Sequence, residues 1–197
     1  MTRPVVRLAL DAMGGDKAPD SVVAGADLAR QRFPTAQFLF VGDEARIRPL
    51  VERHPGLAAV STYRHTTDVV TNDAKPSAAL RAGRQSSMRL AINAVQEGAA
   101  DGVISAGNTG ALMIMAKMVL KTAPGIDRPA IVASFPTLRG ASVMLDLGAN
   151  LECDARNLLQ FAIMGDAYAR TAMGVAKPTI GILNVGSEDQ KGHEELR

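Results

Sequence analysis

Apolar, β-prone runs recur along the chain between segments with helical spacing. Residues 5–10 (VVRLAL) form the first run, 37–41 (QFLFV) the second and 58–63 a weaker third. Runs at 102–105, 130–134, 142–147 and 179–185 follow. Several are continuously apolar rather than alternating, the pattern of strands covered on both faces. The run at 142–147 follows 130–134 after a short turn, so one hairpin is expected to interrupt a parallel order. Between the runs lie helical segments. Pro19 suits the first turn of a helix reaching about Arg32. Residues 43–53 are charged on one side, 77–97 read as two helices broken around 83–86, and 109–121 are almost wholly apolar. Residues 154–173 form the longest helical segment, with Leu158, Phe161, Ala162, Gly165, Ala169 and Ala172 near one face. This alternation predicts an α/β fold with an open, mostly parallel sheet and helices on both faces. There is no internal repeat, low-complexity tract or interdomain linker, so residues 1–197 are expected to form a single α/β domain. The chain stops about two turns into a possible last helix, the pattern of a C-terminally truncated piece.

Composition narrows the class. Hydrophobic residues make up 47% of the 197 and charged residues 21%, which excludes a disordered tail. Lys and Arg number 22 against 20 Asp and Glu, a net charge of +2, and this near-balance argues against a nucleic-acid binder. Aromatics are 4% with no Trp, so the core must be aliphatic and stacking platforms for single strands are lacking. The one cysteine, Cys153, excludes an internal disulfide framework and fits a reducing cytoplasm. No apolar run reaches the roughly 18 residues that span a bilayer. The first residues lead into a strand-like run without a signal-peptide core. The apolar segment 109–121 extends only about 20 Å as a helix. It is expected to be buried in a core or a subunit interface.

Candidate chemistry sits where α/β sheets place it, beyond the carboxyl ends of strands. Residues 11–16 (DAMGGD) follow the first run, with Gly14 and Gly15 allowing close approach and Asp11 and Asp16 flanking them. They match neither a dinucleotide fingerprint nor a P-loop, and a plain capped turn is the bland alternative. Residues 105–110 (SAGNTG) precede the apolar helix. Asn108 or Thr109 can cap that helix, and its exposed amides make an anion site possible beside Ser105 and Gly110. In 146–150, Asp146 and Asn150 stand at a strand end. With Asp11 and Asp16, Asp146 could also hold magnesium, but the spacing carries no metal signature and no metal is assigned. In 184–192, Lys191 stands a turn into the last segment and could reach an anion near Asn184, or simply be solvated. Lys75, Arg81, Arg84 and Arg89 form a basic cluster around Ser86 and Ser87, either a solvated face or an anion-binding one. Nucleophilic catalysis is poorly supported. Cys153 lies between Glu152 and Asp154, which are expected to raise its pKa, there is no G-x-S-x-G elbow, and His54, His65 and His193 lack metal or triad spacing.

Taken in order, LALDAMGGD, DAKPSAALRAGRQSSMRLAINAVQEG, SAGNTGALM, DRPAI, DLGANLECD and NVGSEDQKG resemble the bacterial phosphate acyltransferases of phospholipid synthesis, the PlsX family. Each motif is weak alone; the ordered set is specific and covers essentially the whole chain. The resemblance implies a fold like that of phosphate acetyltransferases and isocitrate-dehydrogenase-like enzymes. It implies transfer of a long-chain acyl group from acyl carrier protein to inorganic phosphate, with no cofactor and no nucleic acid. It further implies a cytoplasmic homodimer that associates peripherally with the membrane and feeds a membrane glycerol-3-phosphate acyltransferase. Family members are substantially longer, so this chain alone is expected to lack part of the active site. On this resemblance Lys191 and Asn184 are the expected catalytic residues. Phosphate is expected at Asp11, Gly14, Gly15, Asp16, Ser105, Asn108, Thr109 and Gly110, with Asp146 and Asn150 nearby. Arg81 and Arg89 would position phosphate or the phosphopantetheine arm, and the basic cluster would dock the acidic carrier. Two rivals remain at this point: a metal-dependent decarboxylating dehydrogenase on a related fold, and a non-catalytic module that binds carrier protein or an anion.

Overall fold

The computed structural model describes residues 4–138, 140–148, 150 and 153–184. Contacts divide the chain into two compact units, Met1–Lys121 and Thr122–Arg197.

The first unit is built on a parallel sheet. Its strands are β1 (Val6–Asp11), β2 (Ala36–Gly42), β3 (Ser61–His65) and β4 (Gly102–Ile104). They lie in the order β3-β2-β1-β4, every pair parallel. Helices α1 (Asp20–Arg32), α2 (Glu44–Val51), α3 (Pro55–Ala58), α4 (Pro76–Ala82), α5 (Ser87–Gln96) and α6 (Thr109–Leu120) connect or follow the strands. The pleat sorts side chains by parity. Leu10, Phe38 and Phe40 pack with Val23, Ala26, Ile47, Val51 and Leu57 of α1, α2 and α3. Ala9 and Val41 point to the other face, against Ala91 and Ala94 of α5. Both faces are therefore covered, as the unbroken apolar runs require. On α5, Met88 and Ile92 turn instead toward Ala79 of α4 and Ala111, Met115 and Val119 of α6.

The helix signals hold with small shifts. Asp43 caps α2 by accepting from the Ala45 amide. Ser86 caps α5, and Gly83 lies in the break between α4 and α5. The weak run at 58–63 begins later than its composition suggests, because Pro55 starts the short helix α3 and the strand waits until Ser61. Helix α6 is apolar apart from Thr109 and Lys117, yet only the stripe Ala111, Met115 and Val119 is buried; Met118 remains 54% exposed.

The second unit holds an antiparallel hairpin of β5 (Val132–Thr137) and β6 (Gly140–Leu145), and the helix α7 (Ala155–Met173). The expected hairpin is thus present, with Val132 opposite Leu145. Asp154 caps α7 in a reciprocal capping box with Asn157, and Gly174 closes the helix at a φ of 69°. Gly165 lets α7 approach β6: an added Cβ would stand 2.9 Å from Leu145 Cδ1. Phe161 and Ala169 of the anticipated face are buried, whereas Ala172 is exposed. The run at 179–185 is corrected: its described part, 179–184, forms no strand. Ile180, Ile182 and Leu183 are 60%, 63% and 81% exposed, so their apolar character meets no sheet neighbour among the described residues.

Candidate active site

The strand order places a topological switch point at β1. The chain leaves β1 toward β2 on one side and returns to β4 on the other, so the loops after β1 and β4 meet at the carboxyl edge of the sheet, where open α/β sheets place ligands. These are the two glycine turns, 11–16 and 105–110.

At their base lies Asp11, only 2% exposed. Its Oδ1 accepts from Ser87 Oγ at 2.6 Å and its Oδ2 from Ser105 Oγ at 2.6 Å. Ser105 Oγ in turn accepts from the Gly107 amide at 3.1 Å. Gly14 folds directly over the carboxyl group; a Cβ there would lie 2.4 Å from Asp11 Oδ2 and 2.9 Å from Ser105 Oγ. A Cβ on Gly107 would stand 3.3 Å from Gly14 Cα, so the turns touch backbone to backbone. Gly15 takes a φ of 97°, and a side chain there would meet the Ala106 carbonyl at 3.0 Å.

Asn108 caps α6 by accepting from the Ala111 amide at 2.9 Å. Its Nδ2 reaches the carbonyls of Thr71, Asn72 and Ala74, at 3.4, 3.0 and 2.8 Å. Asp16, exposed at the end of the first turn, accepts from Asn72 Nδ2 at 2.6 Å. The segment 71–74 is therefore fastened to both glycine turns. The Thr109 and Gly110 amides, at the first positions of α6, meet no acceptor among the described residues. They stand at the positive end of the helix dipole, the arrangement that receives anions. Pro76, which opens α4, packs against Gly110, where an added Cβ would lie 2.8 Å from its ring.

Of the expected site residues, Asp11, Gly14, Gly15, Asp16, Ser105, Asn108, Thr109 and Gly110 come together here. Arg81 is exposed on α4, the neighbour of α6, and Arg89 on α5 donates from Nε to Asn93 Oδ1 at 3.0 Å. Ser87 and Asn72 were not singled out from the sequence. The paired serines read there as polar residues in a basic stretch, and contacts spanning 76 and 56 residues leave no local signal.

Asp146 and Asn150 belong to the second unit. Asp146 Oδ1 accepts from the Asn150 amide and side chain at 3.1 and 2.9 Å, and Oδ2 from Cys153 Sγ at 3.2 Å. Asn150 also donates to the Pro129 carbonyl at 3.3 Å. Burial, aided by the Asp146 carboxylate, pushes the Cys153 thiol up to about 11. Asn184 is half-buried in the same unit, and Lys191 lies outside the described residues. Among the described residues, no three of His, Cys, Asp and Glu converge on a possible metal position. No described helix is long and apolar enough to cross a membrane.

Paired glycine turns at the switch point of a parallel sheet define an open-sheet α/β protein, and the chain belongs to the fatty acid synthesis protein family, whose model matches residues 6–197. Similar chains share one name. A phosphate acyltransferase of Rhodospirillum centenum is 70% identical over 190 residues, covering 96% of this chain and 54% of that protein. Those of Rhodospirillum rubrum and Paramagnetospirillum magneticum are 60% and 54% identical, with similar coverage. The chain thus spans about half the length of the curated relatives it matches. In fold it is similar to a phosphotransacetylase from Streptococcus pyogenes (TM-score 0.63, 16% identity, 86% of this chain and 55% of that one). It is also similar to the EutD phosphotransacetylase from Staphylococcus aureus (TM-score 0.56, 18% identity, 86% and 54%).

Proposed function

We propose that this chain forms part of an acyltransferase that moves a long-chain acyl group from acyl carrier protein to inorganic phosphate. The carrying observation is the joined pair of glycine turns, with two open amides at the start of α6, in a chain 70% identical to a protein named phosphate acyltransferase. Phosphate is itself the nucleophile, so no serine or cysteine need attack. A phosphate oxygen adds to the thioester carbonyl, the tetrahedral intermediate collapses, and the carrier thiol leaves as acyl phosphate forms. Holding phosphate beside the carbonyl can contribute at most about 7–11 kcal/mol through proximity and orientation. The remaining task is to stabilise the oxyanion and the departing thiolate.

The two turns supply backbone donors rather than charged side chains. Both Asp11 oxygens are already engaged, and Asn108 spends its side chain on the cap and the 71–74 carbonyls. In this reading phosphate meets Thr109 and Gly110, with Gly14 and Gly15 as the opposing wall and Arg81 and Arg89 supplying positive charge. Asp146 and Asn150 are substrate-binding residues in this reading, and Asn184 is a catalytic one. Lys191 is the electrostatic catalyst, and Lys191→Ala is expected to lower kcat more than about tenfold. The motif resemblance, rather than anything the relatives' names state, leads us to add acyl carrier protein as donor, a homodimer, a cytoplasmic location with peripheral membrane contact, and delivery of acyl phosphate to a membrane glycerol-3-phosphate acyltransferase.

The test is phosphate-dependent thiol release from long-chain acyl carrier protein, measured on this chain and on a version of the relatives' full length. Activity in both places the chemistry within residues 1–197. Activity only in the longer protein keeps the assignment and makes the second half necessary. Silence in both removes it.

A further inference from the structure

We propose that Ser87 and Asp11 are positioning residues for the 105–110 turn, acting through a buried hydroxyl–carboxyl–hydroxyl bridge. The inference rests on the acyl-transfer reading for its ligand, phosphate. Three elements meet at one side chain: Asp11 ends β1, Ser87 opens α5, and Ser105 follows β4. Both contacts are 2.6 Å, and Ser87 is 1% exposed. The bridge does not stop at Ser105. Its hydroxyl accepts from the Gly107 amide, so the orientation of the backbone leading into Asn108, Thr109 and Gly110 depends on where Asp11 holds it. Gly14 seals the carboxyl group from above.

The neighbouring serine shows what a purely structural hydroxyl does here. Ser86 is equally buried, but it donates to the Gly83 carbonyl at 2.7 Å and caps its own helix through the Arg89 amide at 3.3 Å. Ser86 serves α5; Ser87 reaches across to β1 and, through Asp11, to the turn after β4. A buried, fully bonded polar network fixes geometry in a way that an apolar trio would not. A backbone anion cradle depends on that geometry, because donors misplaced by a fraction of an ångström lose the ligand.

The experiment uses the full-length protein, with Ser87→Ala and Ser105→Ala beside Ser86→Ala as the matched control. KM is measured separately for inorganic phosphate and for long-chain acyl carrier protein, together with the melting temperature. The expected result is a rise of roughly tenfold in phosphate KM for Ser87→Ala and Ser105→Ala, with the acyl-donor KM held within about twofold. Ser86→Ala is expected to melt earlier while keeping its phosphate KM. The proposal is overturned if Ser87→Ala behaves like Ser86→Ala, or if only kcat falls, in step with the folded fraction. If the wild type binds phosphate but turns nothing over, the acyl-transfer reading fails. The same variants are then judged by phosphate Kd: weakening in Ser87→Ala and Ser105→Ala alone supports the bridge, and equal Kd values overturn it. Wild-type protein that neither binds nor consumes phosphate removes both.

Discussion

Gly14 and Gly25 show how far one methyl group can differ in effect. At Gly14 a Cβ would collide with Asp11 Oδ2 and Ser105 Oγ, neither of which can retreat without breaking the bridge. At Gly25, exposed on α1, a Cβ meets nothing within 4 Å. Gly14→Ala is therefore expected to destabilise by ~1–3 kcal/mol. Gly25→Ala should stabilise by up to ~1 kcal/mol through helix propensity. Urea midpoints measure both; equal shifts would contradict the crowding at Gly14. Cys153 offers a pH-dependent test. Folding retains its proton, so this contribution to stability is full below the free thiol's 9.0 and fades as pH rises through about 11. Iodoacetamide should label it slowly at pH 8, and the rate should climb toward pH 11. Asp146→Asn should move that profile down only in part, because burial is the larger cause. A profile that stays put or moves up would refute the thiol–carboxylate contact. At this scale the sequence singled out Asp11 as a strand-end carboxylate and read Cys153 as a blunted thiol beside Glu152 and Asp154; in the structure burial and Asp146 are the larger causes of its raised pKa. It could not show that Asp11 faces two serines 76 and 94 positions away.

Among the elements, α6 ties sequence to site most directly. The run SAGNTG announced a cap at Asn108 or Thr109, and Asn108 is the residue that makes it. The same side chain also gathers three carbonyls from 71–74, a contact 34 to 37 positions away that local pattern does not encode. The two halves of the amide can be separated experimentally. Asn108→Asp keeps a good cap but turns a donor into a second acceptor facing those carbonyls. Asn108→Ala loses both functions, including a cap worth ~1 kcal/mol. Asp is the equal of Asn as a cap. Stability of Asn108→Asp close to wild type would mean that the cap is all that matters. The structure instead leads to a clear loss in Asn108→Asp, with faster amide exchange in 71–74. The segments read from 43 and from 154, and the break around 83–86, begin or resume at the caps Asp43, Asp154 and Ser86, which the sequence reading did not name as caps. The strand at 58–63 was placed too early because Pro55 favours a helix start that an apolar count ignores. The run at 179–185 was read as a strand because periodicity reports the wish to pair and not the presence of a neighbour.

For the whole molecule, the runs and their spacing foretold a parallel sheet covered on both faces, but the order β3-β2-β1-β4 follows from contacts no single segment carries. That order puts the two glycine turns of the proposed site side by side. The distribution of core between the units sets a last expectation. Nearly every buried hydrophobic residue among those described lies in Met1–Lys121, arranged in three clusters around the sheet. Among the described residues of Thr122–Arg197 only Phe161 and Ala169 are buried to that degree, while Ile163, Ile180, Ile182 and Leu183 stand exposed. Because apolar burial is the main source of stability, the first unit should hold its structure under conditions that open the second. Limited trypsin digestion of the 197-residue chain should leave a resistant N-terminal product ending near Lys121, an exposed residue just after α6. Peptides from Thr122–Arg197 should appear first. The isolated Met1–Lys121 fragment should then melt cooperatively with its helix and sheet content intact. Simultaneous loss of both parts, with no lasting product, would mean that residues 1–197 unfold as one domain and that the first unit's core does not stand alone.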